Sequence, residues 1–149
     1  MTERNNGGPP RSGWPRLMVE LLVQDFTASL VFWRDILGFG IAYQRAEQKF
    51  AYLEHVDGAQ VMICQRNGNW ETGPLLRPFG RGVMLQIYVA RLDPLVAAID
   101  AAHWPVHTPL RESWRRVGDR ESGSLEFFVQ DPDGYLVMLA EAIGERPLG

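Results

Sequence analysis

The sequence predicts an α+β protein made of two tandem β-α-β-β-β modules. Three observations carry that reading. Landmarks recur at fixed offsets: Met18 to Met84 and Val23 to Val89 are both 66 positions apart, while Gly58 to Gly134 and Met62 to Met138 are both 76 apart. In each half, a period-2 apolar alternation gives way to helical spacing and then returns. Gly- and Pro-containing turn signals separate the short apolar runs.

The elements follow in order. Residues 1–15, rich in Asn, Gly and Pro, read as a disordered tail. The first module spans 16–66. Its opening strand places Leu17, Val19, Leu21 and Val23 on one face. Asp25 or Thr27 can cap the helix that follows, in which Phe26, Leu30, Trp33 and Leu37 fall at helical spacing and Gly38 ends the run. Three strands are expected at about 39–46, 49–54 and 59–65, the last two joined at Val56-Asp57-Gly58. Residues 67–82 read as a linker. The second module spans 83–143, with a strand over Val83–Val89 and a helix opened by Asp93-Pro94. Strands are expected at about 105–110, 123–130 and 135–141, with the last turn at Asp131-Pro132-Asp133-Gly134. The ten residues by which this module exceeds the first are assigned to a loop within Leu110–Ser122, and 144–149 to a tail.

Composition excludes several classes. At 46% hydrophobic and 22% charged, the 149 residues fit a folded globular chain and not a disordered or fibrous one. A net charge of −3 argues against general nucleic-acid binding, which needs a cationic excess. No apolar run is long enough for a membrane helix, and no signal-peptide pattern opens the chain. The one cysteine, Cys64, allows no intrachain disulfide, which suits a cytoplasmic location.

Two stretches carry a family likeness. They are Val23-Gln24-Asp25 with Phe32-Trp33-Arg34-Asp35-Ile36-Leu37-Gly38-Phe39, and Phe128-Val129-Gln130-Asp131-Pro132-Asp133-Gly134-Tyr135. Together with the doubled unit, they resemble the vicinal oxygen chelate superfamily over about 16–143. That superfamily holds glyoxalase I, extradiol dioxygenases, fosfomycin-resistance enzymes and bleomycin-resistance proteins, and the sequence looks most like the bleomycin-resistance branch. The resemblance implies a cupped mixed β-sheet with the helices on its convex face. It also implies four positions where the superfamily's enzymes hold a divalent metal with His, Glu or Gln. Carried onto this chain, those positions are Met18, Met62, Met84 and Met138. A thioether is soft and neutral and does not replace imidazole or carboxylate for such metals. The readings that remain are an adaptable apolar pocket floor, a Cu(I) site, or a displaced divalent site on Glu20 with Gln86 or Gln60. The first is preferred, and no metal or cofactor is expected.

Strand alternation puts Glu20, Gln60, Gln86 and Tyr88 on the same side as these methionines. Glu20 can bind a ligand cation, or it can pair with Arg81 or Arg115. Gln60, Gln86 and Tyr88 can orient a ligand by hydrogen bonds or satisfy one another. Trp70 and Trp114, placed on loops, are candidates for clamping a planar ligand. Arg111, Arg115, Arg116 and Arg120 face comparable acidity in Glu112, Asp119, Glu121 and Glu126, and read as a self-paired loop. His55 and His103 read as surface residues, and Cys64 as an inert small hydrophobe. The expected function is metal-independent binding of a small molecule, with a cationic amphipathic antibiotic as the concrete case and a homodimer as the assembly. The alternative is a metal-dependent lyase, isomerase or dioxygenase with a relocated metal site.

Overall fold

The first ladder of the fold is parallel. β1 (Glu20–Val23) lies beside β4 (Gln60–Gln65), with Glu20 opposite Met62. β4 pairs antiparallel with β3 (Phe50–Glu54), and β3 with β2 (Gly40–Arg45), giving the order β1-β4-β3-β2. A computed structural model describes residues 7–149 and divides the chain into two units, the first ending at Arg77 and the second running from Pro78 to Gly149. That boundary falls inside the expected linker.

Within the first unit, β1 begins three residues later than the alternation suggests, and Leu17 is exposed. The reason lies upstream. The chain before Val19 leaves the ladder to lay Trp14 against Tyr43 and Tyr52, at ring separations of 6.1 and 5.5 Å. The expected tail over 1–15 lies partly outside the described residues. Its described part forms a strap on the sheet: Gly7 bridges Tyr43, the Gly8 amide donates to the Ala42 carbonyl at 3.0 Å, and the Arg11 and Ser12 amides donate to the Glu54 carboxylate at 2.9 and 2.8 Å.

Asp25 caps α1 (Phe26–Leu30) by accepting from the Ala28 amide at 3.1 Å. The helix then widens into a π-helical turn over Val31–Ile36. Phe32, Trp33 and Leu37 are buried, and the Trp33 ring meets Phe32 and Phe39 edge-on, both at 5.4 Å. The Phe26 amide donates to the Gln65 side chain at 3.1 Å, which places the helix on the face of β4 that Gln65 and Ile63 share. Met62 and Cys64 therefore face the other way. His55 departs from its expected surface position. It is buried against Phe39, ring to ring at 5.3 Å, because the chain reverses only after it, at 56–58.

The second unit repeats the pattern. β5 (Met84–Tyr88) lies parallel to β8 (Leu136–Pro147), and β8, β7 (Arg120–Gln130) and β6 (Val106–Val117) follow antiparallel in the order β5-β8-β7-β6. Pro94 stands in the first turn of α2 (Asp93–Ala101). The cap position falls on Leu92, not Asp93, and the Leu92 amide donates to Glu141 of β8 at 2.7 Å. That bond sets α2 over the face of Val137, Leu139 and Glu141, opposite Met138 and Ala140. At the last turn Asp131 Oδ1 accepts from the Asp133 and Tyr135 amides at 3.0 and 2.9 Å. Gly134 there has φ +97°, and a Cβ would stand 2.5 Å from Pro78.

The expected loop over 110–122 is a strand extension. β6 and β7 continue to a turn at 118–119, and β8 runs beside them to Pro147, so most of the expected 144–149 tail belongs to the sheet. Cross-strand contacts stabilise it. Trp114 covers Gly123, where a Cβ would sit 2.7 Å from the ring, and Arg146 stacks over Trp114 at 4.1 Å while bonding Glu121 at 2.6 Å. Among the described residues no helix is long and apolar enough to cross a membrane.

Candidate functional site

Each unit leaves one sheet face without a helix, and the four candidate methionines lie on those faces. On the first unit the floor is Leu22, Phe50, Tyr52 and Cys64, all buried, with Met18 and Met62 partly buried against them. Tyr43 stacks on Tyr52 at 5.0 Å, and the Arg45 guanidinium lies over Phe50 at 4.1 Å. Beside this aromatic cluster is a hollow of about 310 Å³ walled by Trp14, Tyr43 and Arg45. Glu20 stands half-buried at the β1 edge, with no hydrogen bond or ion pair among the described residues. Arg115, one of its two expected partners, is held by Glu126 instead. Burial pushes the Cys64 thiol up, and the Glu20 charge adds to that shift while Arg45 opposes it. Such a thiol stays protonated and unreactive near neutrality.

Gln60 is engaged on both ends of its amide. Its Oε1 accepts from the Tyr52 hydroxyl, and its Nε2 donates to the Gly13 carbonyl at 2.9 Å. The Tyr52 hydroxyl is pushed above its ordinary value by burial and by Tyr43 and Glu54. His55, outside this face, is held below its ordinary value by burial, against the pull of Asp57.

On the second unit Phe128, Met138 and Ala140 form the floor, and Met84, Gln86 and Tyr88 stand exposed along the edge strand β5. On the same face Glu126 is fully buried between Arg111 and Arg115. Strand register thus gathers Met18, Glu20, Gln60 and Met62 on one face, and Met84, Gln86, Tyr88 and Met138 on the corresponding face of the second unit. Trp114 and Trp70 join neither set. Trp114 alternates onto the opposite face of β6, where its Nε1 donates to Glu112 at 2.8 Å. Trp70 is 72% exposed at φ +62°. Sequence reasoning missed the strap with its Trp14–Tyr43–Tyr52 contacts, for which the lone Trp14 was the available signal. Arg111, Arg115 and Glu126 are self-paired as expected, but on paired strands and not on a loop.

The donors do not fit the divalent metal of the superfamily's enzymes. All four carried-over positions are thioethers, the Gln60 amide is already bonded, and among the described residues no three His, Cys, Asp or Glu side chains could hold a metal together.

The family model described as Glyoxalase/Bleomycin resistance protein/Dioxygenase superfamily matches residues 17–139. A superfamily member of that description from Vibrio splendidus 12B01 is 31% identical, covering 86% of this chain and 98% of its own, with a TM-score of 0.39. A protein of unknown function from Agrobacterium tumefaciens str. C58 is 25% identical over 88% of this chain and 96% of its own, at a TM-score of 0.62. A lactoylglutathione lyase from Agrobacterium tumefaciens, 19% identical over 86% and 95%, shares the fold at a TM-score of 0.55. The curated proteins contain no match. With the family model covering most of its length and the doubled unit in place, the chain belongs to the glyoxalase/bleomycin resistance protein/dioxygenase superfamily.

Proposed function

We propose that this protein binds a small amphipathic molecule without a metal ion, in the manner of bleomycin-type sequestration, with a cationic antibiotic as the concrete ligand. One observation carries the reading: Met stands at all four positions that the resemblance carries onto this chain from the metal ligands of the superfamily's enzymes. Methionine is flexible and polarisable and suits an adaptable apolar floor. The cationic sign rests on Glu20, a half-buried carboxylate beside that floor whose attraction for a cation is less screened than at the open surface. A reducing compartment suits a chain whose one thiol is buried and unpaired.

The test is melting temperature together with metal content. Protein purified without chelator should hold well under one equivalent of Ni, Zn, Mn or Fe, and neither added metal nor EDTA should move its melting temperature. Bleomycin should raise it, by a stabilisation of about 2.7 kcal/mol at a hundredfold excess over Kd. Glu20→Gln should weaken that binding roughly 10- to 150-fold, as loss of a charged hydrogen bond does. Metal retained through dialysis, with destabilisation by EDTA, would overturn the proposal in favour of a lyase, isomerase or dioxygenase with a relocated metal.

A further inference from the structure

The second unit's open face carries a cationic device that the proposed reading does not use. Glu126 on β7 has no exposed side-chain surface, yet it lies under two half-exposed arginines of β6. Arg111 donates through Nε to Glu126 Oε1 at 3.2 Å. Arg115 donates through Nη2 to the same oxygen at 3.0 Å and through Nη1 to Oε2, which also accepts from the Ser124 hydroxyl at 3.1 Å. One carboxylate thus holds two guanidiniums, leaving an excess of one positive charge. Nearby acidity does not cancel it: Glu112, Glu121 and Glu141 alternate onto the opposite face, and Glu145 is paired with Arg120 at 3.4 Å.

The geometry leaves donors free. Arg111 spends only its Nε on Glu126, and its guanidinium lies over the Phe128 ring at 5.2 Å. Its two Nη groups, and Nε of Arg115, have no hydrogen-bond partner among the described residues. A guanidinium anchored at Nε and backed by a ring presents its terminal fork pre-oriented, the shape that pairs with carboxylate or phosphoryl oxygens. The fork also adjoins an apolar floor. The sheet register sets Tyr88, Ala140, Glu126 and Arg111 in one row across four strands, with Met138 and Phe128 opposed in the next. Ala140, the small residue of the row, is buried, and the Tyr88 ring stands half-exposed at the far end of the row from Arg111.

We propose that Arg111 and Arg115, held in place by Glu126, anchor an oxyanion, either a carboxylate or a phosphoryl group, on a small molecule whose apolar part lies against the exposed Tyr88 ring. The inference goes beyond the cation reading, which uses Glu20 on the other unit.

The full chain, labelled with 13C at its methionine methyls, is titrated with benzoate, phenyl phosphate and uncharged benzamide. Both anions should shift the Met84 and Met138 signals saturably, leave Met18 and Met62 in place, and bind at least about tenfold more tightly than benzamide. The tighter of the two names the oxyanion. Arg111→Gln leaves Glu126 bonded to Arg115 and Ser124, so the unit keeps its fold, which wild-type-like Met84 and Met138 signals in the absence of added anion check. Its affinity for the anions should fall about tenfold or more, and Arg111→Lys, which restores charge without the fork, should recover only part. Equal binding of benzamide, no saturable shift, or full anion affinity in Arg111→Gln would each overturn the inference. If bleomycin shifts Met18 and Met62 while neither anion moves Met84 or Met138, this inference fails and the binding reading stands; tightly held metal with intact anion binding gives the converse.

Discussion

At Glu126 a carboxylate without exposed surface meets two guanidiniums and a hydroxyl, and hydrogen bonding outweighs desolvation. The bond from Arg115 holds its carboxyl below the ordinary value of 4.5, burial opposes that, and the bonds from Ser124 and Arg111 add to the lowering. The same contact raises Arg115. A lowered folded-state pKa contributes stability that is complete above the ordinary carboxyl value and is lost as the pH falls through the folded value. Glu126→Gln should therefore cost about 1.5–3 kcal/mol at pH 7, the scale of a hydrogen bond to a charged group. Its urea midpoint should also fall less steeply than the wild type's on acidification below pH 4.5. Parallel acid limbs for the two proteins would assign acid sensitivity to other groups. This residue shows where reading a sequence stops. Charge cancellation across 111–126 is visible in the order of letters. Which arginines reach which carboxylate depends on the β6–β7 register, and that register places Arg111 directly opposite Glu126.

Among the elements, the strap over residues 7–14 is held chiefly through polar contacts to its backbone, since Trp14 alone supplies a large apolar group. Glu54 accepts two of its amides, and Gln60 donates to a third residue's carbonyl. Burial raises the Glu54 carboxyl, but the Ser12 and Arg11 amides outweigh it and leave the group below its ordinary value. Glu54→Gln removes the charge that strengthens both bonds. Amide exchange at Arg11 and Ser12 should then quicken about tenfold or more, while exchange in β4 stays unchanged. Unaltered exchange at both amides would mean that Trp14 alone holds the strap. The strap was not legible because Gly-Pro-Pro-Arg-Ser-Gly has no period and its partners on the sheet lie 34 to 47 residues away. The β6–β7 extension was hidden for a related reason. Its charged letters read as solvated loop, and only cross-strand partners such as Trp114 over Gly123 make them strand. The helices, in contrast, were legible from local spacing, because Asp25, Gly38 and Pro94 act within a turn of where they stand.

For the molecule as a whole, the doubled unit was legible because the Gly58 and Gly134 turns and the methionine offsets sit at corresponding places in two sheets of the same strand order. Assembly was not, since it depends on surfaces and not on periods. The outer side of β5 is an unpaired sheet edge among the described residues, the kind of edge that a second chain covers. We expect a homodimer, with a sedimentation mass of roughly twice 16.9 kDa at micromolar concentration. A mass of one chain would contradict this and weaken the analogy to bleomycin sequestration.

The parallel pairs also have a consequence for chain entropy. Glu20 meets Met62 across 42 residues and Met84 meets Leu136 across 52, whereas the hairpin pairs Glu54–Gln60 and Gln130–Leu136 each close over six. Formed on its own, each parallel contact costs about 2 kcal/mol more in loop closure than its hairpin neighbour. The strands added at that cost are β1 and β5, which carry Glu20 on one unit and Met84, Gln86 and Tyr88 on the other. The outer rows of both open faces are thus the parts of the sheets whose closure takes the most freedom from the chain.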